Sequence, residues 1–227
     1  MYKHLLTNPE LARLVADLTS DGHLQIHGHR YISSFYSKDI EEIKSFERRF
    51  YNLFKIKGKT YIDKRPIRGS KPVIRYKLFF ISKQASIFLK RIGTPVGNKT
   101  ESSFLIPDWI YNGNQEFKKA YLRGLYDAEG SIFCSRGRWQ ITFKMAKNER
   151  LLHAGIRYFE QLRRMLSEFE VKSSTVNHSK LNLRKDGSQS VYLRITIEKS
   201  SFTNFFNNIG FGYSQKQEKL LRALNNC

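Results

Sequence analysis

Leu122-Arg123-Gly124-Leu125-Tyr126-Asp127-Ala128-Glu129-Gly130 decides the fold, because an earlier stretch of the chain is built the same way. Leu14-Val15-Ala16-Asp17-Leu18-Thr19-Ser20-Asp21-Gly22 is also an apolar helical run ending in a carboxylate and a glycine. Ala12, Ala16 and Ser20 recur in register as Ala120, Gly124 and Ala128, small residues at every fourth position. Helices with such faces pack closely, since no long side chain holds the backbones apart. If the two helices meet, Asp21 and Glu129 end up side by side on a pseudo-twofold axis. Like charges that close repel strongly unless cations lie between them. Oxygen-only ligation suits Mg²⁺, which keeps several waters and accepts substrate phosphate oxygens. Two such metals activate water and stabilise the leaving oxygen at a phosphodiester.

The repeat extends beyond the motifs. After Gly22 and again after Gly130 the pattern reads strand, tight basic turn, strand, long amphipathic helix. The turns are Gly28-His29-Arg30 and Arg136-Gly137-Arg138, and the helices begin near Asp39 and Asn148, both good caps. A second strand pair follows in each half, 59–64 with 73–82 and 171–177 with 190–198. A short helix stopped by glycine then closes each half, and 215–226 reads as a last helix. The expected fold class is therefore α+β, an αββαββα unit present twice with pseudo-twofold symmetry. Residues 1–94 form one half and 115–227 the other. The segment 95–114, with Pro95, Gly97, Pro107 and Gly113, reads as the linker.

Charge narrows the partner. Forty Lys and Arg against twenty Asp and Glu leave a formal +20 over 227 residues. Self-repulsion of that size normally has a polyanion to offset it. Nucleic acid is the leading partner, with basic composition alone fitting RNA as well as double-stranded DNA, and a membrane is not expected. Two cysteines, Cys134 and Cys227, form no disulfide framework. With no signal peptide at the start, the expected setting is intracellular rather than secreted, a prokaryotic cytoplasm or an organelle interior. The expected state is a monomer.

Strand parity supplies the candidate DNA contacts. Trp139, Ile141, Phe143 and Met145 alternate with Arg138, Gln140, Thr142 and Lys144, so one face is apolar and the other polar and basic. Tyr192 and Arg194 lie on such a polar face, as do Arg75 and Lys77. Gln25, His27, His29, Arg30, Lys59 and Tyr61 complete the first half, with Arg65, Arg68 and Lys71 on its second basic turn. Arg136, Arg184 and Lys185 extend the second half. A two-stranded ribbon of this kind fits the major groove. His23, His27 and His29 have no cysteine partner and no second-half counterpart, so they read as DNA-facing residues rather than zinc ligands.

The two motifs, their spacing and the αββαββα order resemble the LAGLIDADG homing endonucleases in their single-chain, two-motif form. The second motif is a close match; the first carries Thr19 where the family often has an acid. The resemblance implies that Asp21 and Glu129 bind Mg²⁺ at the scissile phosphates, with Mn²⁺ or Ca²⁺ as substitutes in binding. It implies assistance from the backbone carbonyls of Ser20 and Ala128. It also implies two curved antiparallel four-stranded sheets forming a saddle over the duplex. Each acid would serve one strand of a long asymmetric site, leaving short 3′ overhangs. Family members place a basic residue near the metal, and Lys38 and Lys147, ending matching strands, are the candidates, with Lys83 and Lys199 as a second matched pair. The competing readings are an RNA-binding splicing maturase, which would make intron RNA a partner, and a non-catalytic DNA-binding regulator.

Overall fold

The computed structural model describes residues 2–67, 70–183 and 187–225, and of 63–67 and 70–73 the backbone alone. Asn8 caps α1 (Pro9–Thr19) by accepting the Glu10 N–H at 2.9 Å, and Pro9 takes the first helical position, where a missing N–H is harmless. The hairpin of β1 (Gly22–His27) and β2 (Arg30–Ser37) follows. Asp39 then caps α2 (Ile40–Phe54) through the Glu41 N–H at 2.8 Å. β3 (Lys59–Ile67), β4 (Ser70–Ile81) and α3 (Lys83–Arg91) complete the first unit. Its sheet runs β1-β2-β4-β3, antiparallel throughout.

The stretch between the halves holds one turn of helix, α4 (Asp108–Tyr111). Then α5 (Gln115–Ala128), capped by Asn114, opens the second unit. β5 (Gly130–Ser135), β6 (Arg138–Asn148), α6 (Leu152–Ser167), β7 (Asn177–His178), β8 (Asn182–Leu183) and β9 (Gln189–Ile197) follow. α7 (Phe202–Asn208) and α8 (Ser214–Asn225) end the described chain. The second sheet runs β5-β6-β9-β7, with β8 also paired to β9.

Two expectations shift here. Asn148 remains the last residue of β6 and caps a 3₁₀ turn, Glu149–Leu151, ahead of α6. The strand expected over 171–177 is reduced to a bridge at Ser173 and the two-residue β7. The Ser174 hydroxyl takes the Thr196 N–H at 3.1 Å, a place a ladder carbonyl would hold, so regular pairing lapses.

Each sheet buries one face on helices. Phe35, Leu78 and Phe80 pack with Phe46 and Phe50 of α2, where the Phe50 and Phe80 rings stack at 3.8 Å. Ile141, Phe143, Leu193 and Ile195 pack with Phe159 and Leu162 of α6. Ala12, Val15 and Ala16 of α1 join this second core, so the first motif helix is shared between the halves. Among the described residues, no helix is long and apolar enough to cross a membrane.

Candidate phosphodiester-cleaving site

The close approach of the two motif helices follows from glycine. A Cβ on Gly124 would lie 2.6 Å from the Ala16 Cβ, nearer than two carbons tolerate, so α1 and α5 touch along the small-residue face. The glycine ending each motif has its own reason. A Cβ on Gly22 would lie 2.8 Å from the Asp17 carbonyl oxygen, and one on Gly130 would lie 2.3 Å from that of Tyr126. Only glycine lets the strand leave so tightly over the last helical turn. Asp21 and Glu129 are therefore fixed just past the ends of two helices in contact.

The carboxylates feel each other. Desolvation, followed by the Asp21 charge, pushes Glu129 up to about 7, opposed by Lys99 and Lys216. Desolvation likewise raises Asp21, opposed by Lys99 and Lys216 and, more weakly, by Arg75. Both acids also sit where helix carbonyls point and the dipole is negative. Two dipole ends and two carboxylates make a concentrated cation site.

Two lysines that the repeat pattern did not reveal answer that field. The Lys99 ammonium donates to the carbonyls of Leu18 (3.3 Å), Gly22 (2.6 Å) and Ser20. The Lys216 ammonium donates to those of Tyr126 (3.3 Å), Ala128 (3.4 Å), Gly130 (2.7 Å) and Asp127. Leu18, Ser20 and Gly22 are the repeat partners of Tyr126, Ala128 and Gly130, so the cages match. The lysines themselves do not match in sequence: Lys99 comes from the stretch between the halves, Lys216 from α8. Burial brings Lys99 down to about 8 against the pull of Glu129 and Asp21, and burial lowers Lys216 as well.

The donor chemistry fits Mg²⁺. Two carboxylates and the carbonyls of Ser20 and Ala128 are all hard oxygens, and a carbonyl bonded to an ammonium keeps a second lone pair. Among the described residues no group of three or more His, Cys, Asp or Glu gathers to hold a metal. One or two carboxylates completed by water and phosphate is the Mg²⁺ habit.

The basic residues expected at the site are corrected. Lys38 is exposed beyond the end of β2. Lys147 is 1% exposed inside β6, and its ammonium donates to the carbonyls of Lys99 (2.7 Å) and Ser102 (2.9 Å) over the Phe104 ring. It therefore holds the Lys99 loop rather than facing the acids. The parity that looked matched is not: Lys147 points to the core beside Val191. Lys83 stands over the Tyr31 ring in the first turn of α3, and Lys199, itself exposed, opens a 3₁₀ turn.

Beneath the acids lies an ion network. Arg13 reaches Asp127 at 2.6 Å and Asp17 at 3.2 Å, and Arg49 reaches Asp17 at 2.6 Å and Glu10 at 2.9 Å. Asp127 also accepts the Gly212 N–H at 2.8 Å and the Tyr213 N–H at 3.3 Å. A carboxylate so fully bonded, with 1% exposure, has no reach toward a substrate.

The solvent faces of the sheets carry most of the expected DNA contacts. His27 faces Arg30, Gln25 faces Ile32, Tyr61 faces Lys77 and Lys59 faces Phe79. Arg138 pairs Ser135, Gln140 pairs Phe133, and Lys144 pairs Arg194, with the Lys144 ammonium 4.0 Å from the Tyr192 ring centroid. His29 and Arg136 stand exposed in the two hairpin turns. Thr142 is the exception: it is 7% exposed between Ser131 and Thr196 and is closed to a partner. Arg68, Arg184, Lys185 and the side chains of Arg65 and Lys71 lie outside the described residues. Both faces adjoin the acids. Arg75 lies within reach of Asp21's charge, and a cleft beside Glu129 is lined by Lys99, Ser131, Lys144, Ala146 and Tyr192.

Comparison with known proteins agrees with this architecture. Residues 116–210 match the family model described as a LAGLIDADG-like domain. The chain is 27% identical over 218 residues to the tRNA-splicing ligase RtcB of Pyrococcus furiosus, covering 92% of this chain and 22% of that protein. It is 29% identical over 226 residues to the DNA-directed RNA polymerase subunit Rpo1N of Methanocaldococcus jannaschii, covering 93% and 16%. The chain thus spans less than a quarter of these relatives. Among solved structures, the homing endonuclease I-WcaI bound to its DNA recognition sequence superposes with a TM-score of 0.59 at 14% identity, over 96% of this chain and 90% of that one. Full-length DUF199/WhiA from Thermatoga maritima does so at 0.55 and 14%, over 99% and 64%. The second half is thus similar to a LAGLIDADG-like domain over residues 116–210, and the whole chain shares the fold of these solved structures, with two motif helices in contact beside two antiparallel sheets.

Proposed function

We propose that this chain is a Mg²⁺-dependent, site-specific DNA endonuclease that hydrolyses one phosphodiester in each strand. The observation carrying the reading is the mutually interacting pair Asp21 and Glu129, set at two matched carbonyl cages, each crowned by a lysine. A fold alone decides no activity, and this site supplies the chemistry. Asp21, Glu129 and the carbonyls of Ser20 and Ala128 would hold Mg²⁺, which when bound supplies an activated water and stabilises the leaving oxygen. Lys99 and Lys216 add fixed positive charge where the phosphate gains negative charge. The basic outer faces of the sheets hold the duplex, with Arg138, Lys144 and Arg194 among the readers of base edges.

The dyad of the protein fits the dyad of a cut that takes both strands, while the unlike outer faces of the halves favour a long, asymmetric target. Likeness to two proteins as different as an RNA ligase and an RNA polymerase subunit, as a minor part of each, supports a transferable module and hence homing. The retained acid pair favours catalysis over a non-catalytic regulator. Side chains on two-stranded ribbons reach the major groove of DNA, whereas the deep, narrow major groove of A-form RNA shuts them out, against the maturase reading. Incubating the protein and Mg²⁺ with a randomised duplex library, then sequencing the ends, tests the proposal. Recurrent paired ends with short 3′ overhangs are expected. Sequence-selective binding without any ends would favour the regulator.

A further inference from the structure

The two lysines at the carbonyl cages are held by unlike devices. Lys99 sits on a loop that the second half clasps. The Lys147 ammonium takes the carbonyls of Lys99 and Ser102, and the Asn148 N–H takes that of Thr100 at 2.9 Å. Glu101 in the same loop accepts from the Asn148 side chain at 3.2 Å and from Arg150 at 3.0 Å. Lys216 is anchored otherwise. The Asp127 carboxylate accepts the backbone N–H groups of Gly212 and Tyr213, just before α8, and so fixes where that helix starts. Asp127 is itself steadied by Arg13 of the first half at 2.6 Å. Its repeat partner, Thr19, does nothing comparable: its hydroxyl turns back to the Val15 carbonyl at 2.7 Å.

We propose that Lys147 and Asp127 are positioning residues, each dedicated to one of the two cage lysines. Lys147 holds Lys99 at the carbonyl cage of the first motif, and Asp127 holds Lys216 at that of the second. Each cage then depends on a device of its own, and each cut can be lost while the other survives. The departure of the first motif from the second, threonine for aspartate, marks a difference in how the lysine is delivered. The inference rests on the endonuclease reading above.

The test uses the full chain and a supercoiled plasmid bearing its target, with strand-specific end labels. Wild type cuts both strands. Lys147→Met and Asp127→Asn should each slow cutting of one strand by about 10²-fold, the scale of a catalytic group displaced by an ångström. The two variants should spare opposite strands. Lys99→Met should leave the same nick as Lys147→Met, and Lys216→Met the same nick as Asp127→Asn. Amide hydrogen exchange gives a readout independent of cleavage: faster exchange over residues 98–102 only in Lys147→Met, and over 212–216 only in Asp127→Asn. Equal loss on both strands, the same nick from both variants, or unchanged exchange in either would overturn the assignment. A wild type that cuts neither strand would instead bring down the endonuclease reading itself, and this inference with it.

Discussion

Glu129 is the residue at which the chemistry is most exposed to measurement. Its carboxyl is raised to about 7 by desolvation and by Asp21, from an ordinary 4.5. An acid whose pKa rises on folding binds more protons folded than unfolded between those values, so stability falls as pH climbs from about 4.5 to about 7. Without divalent cations, wild type should therefore melt at a lower temperature at pH 8 than at pH 5, and Glu129→Gln should lose much of that difference. Thermal unfolding in a chelator checks this, and an equal pH dependence in both proteins would remove the strained pair. Adding Mg²⁺ at pH 8 should restore wild-type stability and not that of the variant. The two acids were legible in the sequence because they occupy the same place in both copies of the motif. Lys99 and Lys216 were not, because their positions bear no repeat relation: one lies in a connecting loop and the other in a terminal helix. Lys147 misled for the converse reason. A one-residue offset in strand parity turns a side chain from the open face to the core.

At the scale of elements, the contact of α1 with α5 holds the site together. Gly124→Ala places a methyl within 2.6 Å of the Ala16 Cβ, and such overpacking costs about 1–3 kcal/mol. Urea unfolding should register that loss, and a neutral result would mean that the helices separate without penalty. The same substitution should lower cleavage more than DNA binding, because it shifts the acids while leaving the outer strand faces in place. Removing a cap remote from the site, Asp39→Ala, should cost about 1 kcal/mol and leave cleavage per folded molecule unchanged. Periodicity made the helices and the long strands readable, since each buries one regular face. The third strand of the second half was not readable as it formed, because serine hydroxyls there take over ladder positions and shorten it to Asn177–His178.

Across the whole molecule, the proposed duplex contact rests on the formal +20 and on the two polar sheet faces. Binding of duplex DNA should weaken with salt, with a log–log slope of about −0.9 for each phosphate neutralised, and a slope near zero would remove the duplex from these faces. Arg138→Ala and Arg194→Ala should each relax selectivity at a base position, at about 1–3 kcal/mol per bidentate contact. Unaltered target preference would strike them from the readers. The overall αββαββα duplication was plain from the sequence, whereas the sharing of α1 between both cores was not, since it depends on which helix faces meet. The most direct measurement is cleavage of a target-bearing plasmid by wild type, Asp21→Asn and Glu129→Gln with Mg²⁺, alongside binding of the same duplex in Ca²⁺. The account predicts double-strand breaks by wild type alone and comparable binding by all three proteins. Undiminished double-strand cleavage by either variant would contradict it.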